Sequence, residues 1–112
     1  MDWVQEHYGD LHGVHTVNNA LVVIGSLIFG ETDFHQSICR AVEGGWDTDC
    51  NGATVGGLMG MHLSEIPPKW YEPWNGRVCT SISGLGELVL EDLVNRTMLL
   101  VSKFSDLEDK KF

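Results

Sequence analysis

Basic residues are scarce in this sequence. Its 112 residues include 7 lysines and arginines against 16 aspartates and glutamates, which gives a formal net charge of −9. Proteins that bind nucleic acid or anionic membranes neutralise phosphates with Lys and Arg side chains. We therefore expect neither nucleic acid nor a membrane as the main partner. A ligand that carries phosphate would need help from a metal ion or from backbone N–H groups.

Long apolar runs and paired cysteines are also absent. The longest apolar stretch, Ala20 to Phe29, has 10 residues, whereas a membrane-spanning helix needs about 20. Cys39, Cys50 and Cys79 form no CxxC pair, so their spacing predicts neither a zinc ribbon nor a disulfide framework. The N-terminal residues lack the basic and apolar regions of a signal peptide. These absences predict a cytoplasmic protein with reduced cysteines.

Common catalytic signatures are missing as well. The five histidines form no HExxH motif, and Ser81 and Ser83 do not form a nucleophile elbow. We expect His12 and His15 to lie at the surface. Cys39 is predicted to belong to the core, because it lies in an apolar helical face. The acidic residues of the tail are predicted to form a solvated charge run: Asp106, Glu108 and Asp109.

The residues that are present suit one helical domain. A chain of 112 residues, of which 43% are hydrophobic, can form a single core. Apolar residues recur at helical spacing and predict an all-α fold of about four helices, over 15–31, 32–43, 47–63 and 85–104. The first of these is rich in β-branched residues and would also suit a strand. Residues 1–14 are predicted to be irregular, and 64–84, which hold all three prolines, to be a loop.

The ends and faces of these helices can also be predicted. Asn18 or Thr16 is expected to cap the first helix and Gly30 to end it, and Thr32 or Asp33 is expected to start the second. The nearly continuous apolar run of the first helix predicts burial on several sides. One stripe of the third helix consists of glycines, which predicts very close packing against a neighbour: Gly52, Gly56 and Gly60.

The segment GGWDTDCNG places two aspartates one residue apart, just before a helix. Two interpretations are open. In the first, Asp49 or Thr48 caps the helix and Asp47 interacts with the positive end of the helix dipole. In the second, Asp47 and Asp49 share a hard divalent cation such as Mg²⁺ or Mn²⁺, and further oxygen ligands come from elsewhere.

A family resemblance bears on this choice. The segment AVEGGWDTDCNGATVGGLMG, residues 41–60, resembles the C-terminal metal motif of the ADP-ribosylglycohydrolases. The flanking segments 17–42 and 66–87 resemble the same family, so that the likeness covers about residues 15–100. The resemblance implies an all-α fold with two Mg²⁺ or Mn²⁺ ions in a central cleft. It also implies hydrolysis of the glycosidic bond between ADP-ribose and a protein side chain or a related acceptor.

The resemblance assigns roles to individual residues. Asp47 and Asp49 match the metal-binding aspartates, and Cys50 stands where the family usually has a ligating Ser or Thr. Sulfur is a soft ligand that suits Mg²⁺ poorly, so Cys50 either ligates weakly or serves packing. Gly44, Gly45 and Trp46 would border the substrate cleft. The indole of Trp46 either packs against the nucleotide or fills space in the core.

The second metal motif of the family, Ser/Thr-Asp-Asp, is not found. The adjacent acidic pairs, Glu91–Asp92 and Glu108–Asp109, follow neither Ser nor Thr. We therefore expect the C-terminal portion of the family fold, inactive by itself. Its uncovered apolar surface would associate with a second copy or with a missing N-terminal half. The alternative function is a non-catalytic, acidic helical interaction module that self-associates.

Overall fold

A computed structural model describes residues 1–108. The backbone is mostly helical, which confirms the predicted all-α class. The helices are α1 Asp2–Tyr8, α2 Thr16–Gly30, α3 Phe34–Glu43, α4 Thr48–His62 and α5 Leu90–Glu108. Met1–Pro67 forms one compact unit, and a second unit begins at Pro68. Of the predicted charge run in the tail, the side chains of Asp106 and Glu108 and the whole of Asp109 lie outside the described residues.

Residues 2–8 form a helix, contrary to the prediction of an irregular N-terminal segment. Trp3 and His7 lie four residues apart and stack, with their ring centroids 4.3 Å from each other. Val4 of the same helix is buried. Side chains at positions i and i+4 share one face of a helix, so the spacing of Trp3 and His7 could have predicted α1 from the sequence.

The inner face of α2 is a stripe of small and polar residues spaced four apart. All of its members are buried: Asn18, Val22, Ser26 and Gly30. At Gly30 a Cβ atom would lie 2.7 Å from the Cα atom of Ser37 on α3, closer than such atoms approach. The small stripe therefore allows α3 to lie directly against α2.

The outer face of α2 carries the large aliphatic side chains. Ile24, Ile28 and Phe29 are 52%, 63% and 68% exposed. The prediction that this helix is buried on several sides is therefore wrong for the described chain. The helix has one buried face, and that face is the one with the smaller side chains.

The predicted start of α3 is confirmed, whereas the predicted cap of α2 is wrong. His15, rather than Thr16 or Asn18, caps α2, because its Nδ1 accepts a hydrogen bond from the N–H of Val17 at 3.2 Å. Asp33 caps α3 as predicted, and its Oδ1 accepts from the N–H of Gln36 at 2.8 Å.

Two glycines of the predicted stripe on α4, Gly52 and Gly56, pack closely against α3, whereas Gly60 lies near Ile66. A Cβ atom at Gly52 would lie 3.3 Å from Cγ2 of Val42, and one at Gly56 would lie 3.4 Å from Cδ1 of Ile38. These distances leave room for no more than a methyl group. The absence of side chains along this stripe therefore sets how closely α3 and α4 approach.

The second unit contains a β-hairpin that the helical pattern did not predict. Two 3₁₀ turns, Pro68–Trp70 and Glu72–Trp74, precede strands β1 Arg77–Cys79 and β2 Glu87–Val89. The strands are antiparallel, with Arg77 opposite Val89 and Cys79 opposite Glu87. Because 87–89 pair as a strand, the last helix begins at Leu90, five residues later than predicted.

Two further predictions concern cysteines and membranes. Cys39 is only half-buried, and its Sγ lies 3.7 Å from Nε2 of His35, so the prediction of a core cysteine is wrong. Cys50 and Cys79 are exposed. Among the described residues, the helices are all too short or too polar to cross a bilayer.

Candidate metal centre

The chain reverses between α3 and α4 through two consecutive residues with left-handed backbone. Gly45 has φ = 83° and Trp46 has φ = 54°. Glycine adopts this conformation freely, whereas a residue with a Cβ atom pays about 1–2 kcal/mol for it. Trp46 is half-buried, as are Gly44 and Gly45. The turn therefore holds a strained, bulky residue immediately before the first aspartate.

Asp47 occupies the N-cap position of α4. Within the described chain its side chain makes no capping hydrogen bond to the helix, unlike that of Asp33 at the start of α3. Thr48 and Asp49 lie inside the first turn, so the interpretation in which one of them caps the helix is wrong. The carboxylate of Asp47 is therefore available for another contact.

The structure brings the three predicted metal-site residues together. A carboxylate oxygen of Asp47, a carboxylate oxygen of Asp49 and Sγ of Cys50 all lie within 4.8 Å of one another. Asp47 is half-buried, and the other two residues are exposed. Because hard divalent ions bind oxygens at about 2.0–2.6 Å, one ion can lie between ligand atoms at this separation.

The donor set suits a hard cation through its oxygens and not through its sulfur. Hydrogen bonding to Asp47 and the negative charges of Asp47 and Asp49 raise the pKa of the Cys50 thiol above its ordinary value of 9.0. At neutral pH the sulfur is therefore a neutral thiol, which is a poor ligand for Mg²⁺. Asp47 and Asp49 are the residues that fit the ion.

Two asparagines support the turn by hydrogen bonds, and this role of Asn19 and Asn51 was not predicted from the sequence. Oδ1 of Asn19, on α2, accepts from the backbone N–H of Asp47 at 3.1 Å and from Nδ2 of Asn51 at 2.7 Å. Asn51 is 4% exposed. The available signal was an Asn-Asn pair at the start of an otherwise apolar helix, since buried amides need partners.

The fold and the site thus define an all-α protein with a carboxylate-bearing turn between two tightly packed helices. The family model of the ADP-ribosylglycohydrolases matches residues 1–103. The chain therefore belongs to the ADP-ribosylglycohydrolase family, and the match extends through α1, beyond the range expected from the motifs. No curated protein and no solved structure matches the chain significantly. The family is generally metal-dependent and suggests ADP-ribosylated substrates.

Proposed function

We propose that this chain provides the aspartate half of the metal centre of an ADP-ribosylglycohydrolase, with Asp47 and Asp49 as ligands for Mg²⁺ or Mn²⁺. The observation that carries the proposal is the convergence of both carboxylates within 4.8 Å on a turn where neither caps the helix. Family membership supports the reaction class.

In this proposal the bond that breaks joins C1 of the ribose to a modified side chain, such as arginine, or to a related acceptor. When bound, the metal supplies Lewis-acid and template chemistry. The contribution of this chain is to hold the ion through two carboxylates and to present the positive end of α4 to a negatively charged ligand. The family fold implies two ions; this chain would supply ligands to that pair.

The residues before the aspartates are proposed to contact the substrate. Gly44, Gly45 and Trp46 precede the carboxylates directly, and all three are half-buried. A half-buried indole can cover one side of a nucleotide by stacking. The left-handed backbone at Trp46 restricts the direction in which its side chain can extend from the turn.

We also propose that these 112 residues do not hydrolyse ADP-ribosyl bonds by themselves. Mg²⁺ takes an octahedral set of oxygens, and two carboxylates supply only part of it. No Ser/Thr-Asp-Asp segment occurs in these residues. Purified chain with Mg²⁺ is therefore expected to release no ADP-ribose from ADP-ribosyl-arginine, and clear turnover would contradict this proposal.

The metal ligands can be tested by titrating Mn²⁺ into isotope-labelled chain and recording amide signals by NMR. Bound Mn²⁺ should broaden the signals of residues 47–50 first. Asp47→Asn and Asp49→Asn should each remove this selective broadening, because each replaces a charged ligand by a neutral isostere.

Asp33→Asn is the matched control. Asp33 also precedes a helix, Asn caps helices as well as Asp does, and the change removes the same charge. The control should therefore bind Mn²⁺ as the unmodified chain does. Equal broadening in all three variants, or broadening spread over the many acidic residues, would reject Asp47 and Asp49 as a site.

One observation favours a second candidate function, that of a self-associating helical interaction module. The outer face of α2 exposes large aliphatic side chains, which soluble proteins normally cover. Under this alternative, Asp47→Asn would leave the response to Mn²⁺ unchanged. The Mn²⁺ titration therefore separates the two functions.

A further inference from the structure

We propose that Asn19 is a positioning residue for the metal centre, and this inference rests on the proposed function above. Asn19 lies in the first turn of α2, 28 residues before Asp47 in the sequence. Both polar atoms of its side chain, Nδ2 and Oδ1, have hydrogen-bond partners. It thereby connects the segment before α2 to the turn that carries the aspartates.

The nitrogen of the side-chain amide is held by the segment that leads into α2. Nδ2 of Asn19 donates to the carbonyl of Gly13 at 2.8 Å and to the carbonyl of His15 at 2.9 Å. Both N–H bonds are therefore used, and the plane of the amide is set by the segment that leads into α2. Rotation of the side chain would break both bonds.

The oxygen of the same amide binds two residues at the start of α4. Oδ1 of Asn19 accepts from the backbone N–H of Asp47 and from Nδ2 of Asn51, at 3.1 Å and 2.7 Å. The backbone N–H of Asn51 in turn donates to the carbonyl of Asp47 at 2.9 Å. Asp47 is thus held at its N–H by Asn19 and at its carbonyl by the helix.

This arrangement matters because Asn19 holds the backbone N–H of Asp47 from another helix. Asp47 follows two left-handed residues, and within the described chain its side chain makes no capping bond. Apart from its interaction with the thiol of Cys50, the direction of the Asp47 carboxylate is set through its backbone. Displacements of about 1 Å at a metal or catalytic site are costly, so a supporting residue of this kind affects affinity without touching the ion.

The test compares Mn²⁺ binding, by the same NMR titration, in Asn19→Ala and Asn19→Asp. Asn19→Ala removes these four hydrogen bonds, together with the longer one from Nδ2 to Oδ1 of Asn18, and should raise the Kd for Mn²⁺ by about tenfold or more, as losses of supporting residues do. Asn19→Asp keeps an acceptor oxygen for Asp47 and Asn51 but loses the donor to the carbonyls of Gly13 and His15, so binding should recover only in part. The amide of Asp47 should exchange with solvent faster in Asn19→Ala than in Asn19→Asp, because only the second variant keeps an acceptor for it.

Gly30→Ala is the control for a purely structural effect. It disturbs the contact of α2 with α3 at the opposite end of the same helix, about 16 Å away at 1.5 Å per residue. It should destabilise the unit and leave the Kd for Mn²⁺ unchanged.

The outcomes separate this inference from the proposed function. If the unmodified chain binds no Mn²⁺ at residues 47–50, the proposed metal centre fails, and the role of Asn19 fails with it. If the unmodified chain binds and Asn19→Ala binds equally well, only the positioning role is rejected. A loss of binding in Gly30→Ala equal to that in Asn19→Ala would also reject it.

Discussion

At the scale of single residues, two aspartates at equivalent positions differ in their side-chain hydrogen bonds. Asp33 and Asp47 both precede a helix, and only Asp33 accepts a capping hydrogen bond. The backbone differs accordingly, with ψ = 110° at Asp33 and ψ = 69° at Asp47. The difference arises at the turn, where Trp46 is left-handed and Asn19 holds the N–H of Asp47. Residue type alone could not distinguish the two.

A prediction at this scale concerns Cys50. Cys50→Ser replaces the thiol by a hydroxyl, which is the group that the family resemblance implies at this position and a harder ligand. We expect Cys50→Ser to bind Mg²⁺ and Mn²⁺ several-fold more tightly than the unmodified chain. The measurement is the Mn²⁺ titration, repeated with Mg²⁺ as competitor.

Cys50→Ala serves as its control. If the thiol is no ligand, removing it should leave the affinity for Mn²⁺ nearly unchanged. A large loss of affinity in Cys50→Ala would show instead that the sulfur binds the ion.

At the scale of helices and strands, glycine positions determine where two helices can pack in close contact. Gly30 lies where a Cβ atom would come 2.7 Å from the Cα atom of Ser37, whereas a Cβ atom at Gly57 would meet nothing within 4 Å. Both residues are helical. Their substitutions should therefore have opposite effects on stability.

We predict that Gly30→Ala lowers the free energy of unfolding by about 1–3 kcal/mol, because the added methyl group forces α2 and α3 apart. Gly57→Ala should raise it by up to about 1 kcal/mol, since alanine favours the helix and here meets no neighbour. Urea denaturation followed by circular dichroism measures both changes. A stabilising Gly30→Ala would mean that α2 and α3 do not pack as described.

The hairpin shows what helical periodicity cannot predict at this scale. Residues 87–89 continue the apolar spacing of α5, and they pair with 77–79 instead. The pairing is local and includes an ion pair between Arg77 and Glu87. Glycines at 84 and 86 adopt left-handed backbone in the connection. Three-residue strands offer too few residues for an alternating pattern to be recognised.

At the scale of the whole molecule, charge and apolar exposure act in opposite directions. The net charge of −9 favours solubility and opposes self-association. The outer face of α2, however, contains no charged residue and exposes Ile24, Ile28 and Phe29. A patch of this kind is typical of a surface that a partner covers.

We predict that the chain self-associates at tens of micromolar through this face. Ile24→Glu places a charge at its centre and should shift the population towards the monomer of 12.4 kDa. Gln36→Glu, at an exposed position of α3, adds the same charge on a different helix and should leave the association unchanged. Sedimentation velocity of the three proteins measures the effect.

A monomeric unmodified chain over this concentration range would contradict the prediction. Equal dissociation by Ile24→Glu and Gln36→Glu would show that net charge, and not the face of α2, controls association. Either result would also weaken the interaction-module alternative.

The sequence by itself determined the helical class, three helices in nearly correct positions before Pro67, and the Asp-Thr-Asp turn with its family. These features are local, because apolar spacing, glycine and capping residues act within a few positions of one another. Only the tertiary structure decided which face of α2 is buried, that Asp47 leaves its helix uncapped, and that Asn19 reaches across to hold it. The contacts of Asn19 join residues 28 and 32 positions apart, and the energies of all three features depend on volumes and hydrogen-bond partners that exist only after the helices have packed.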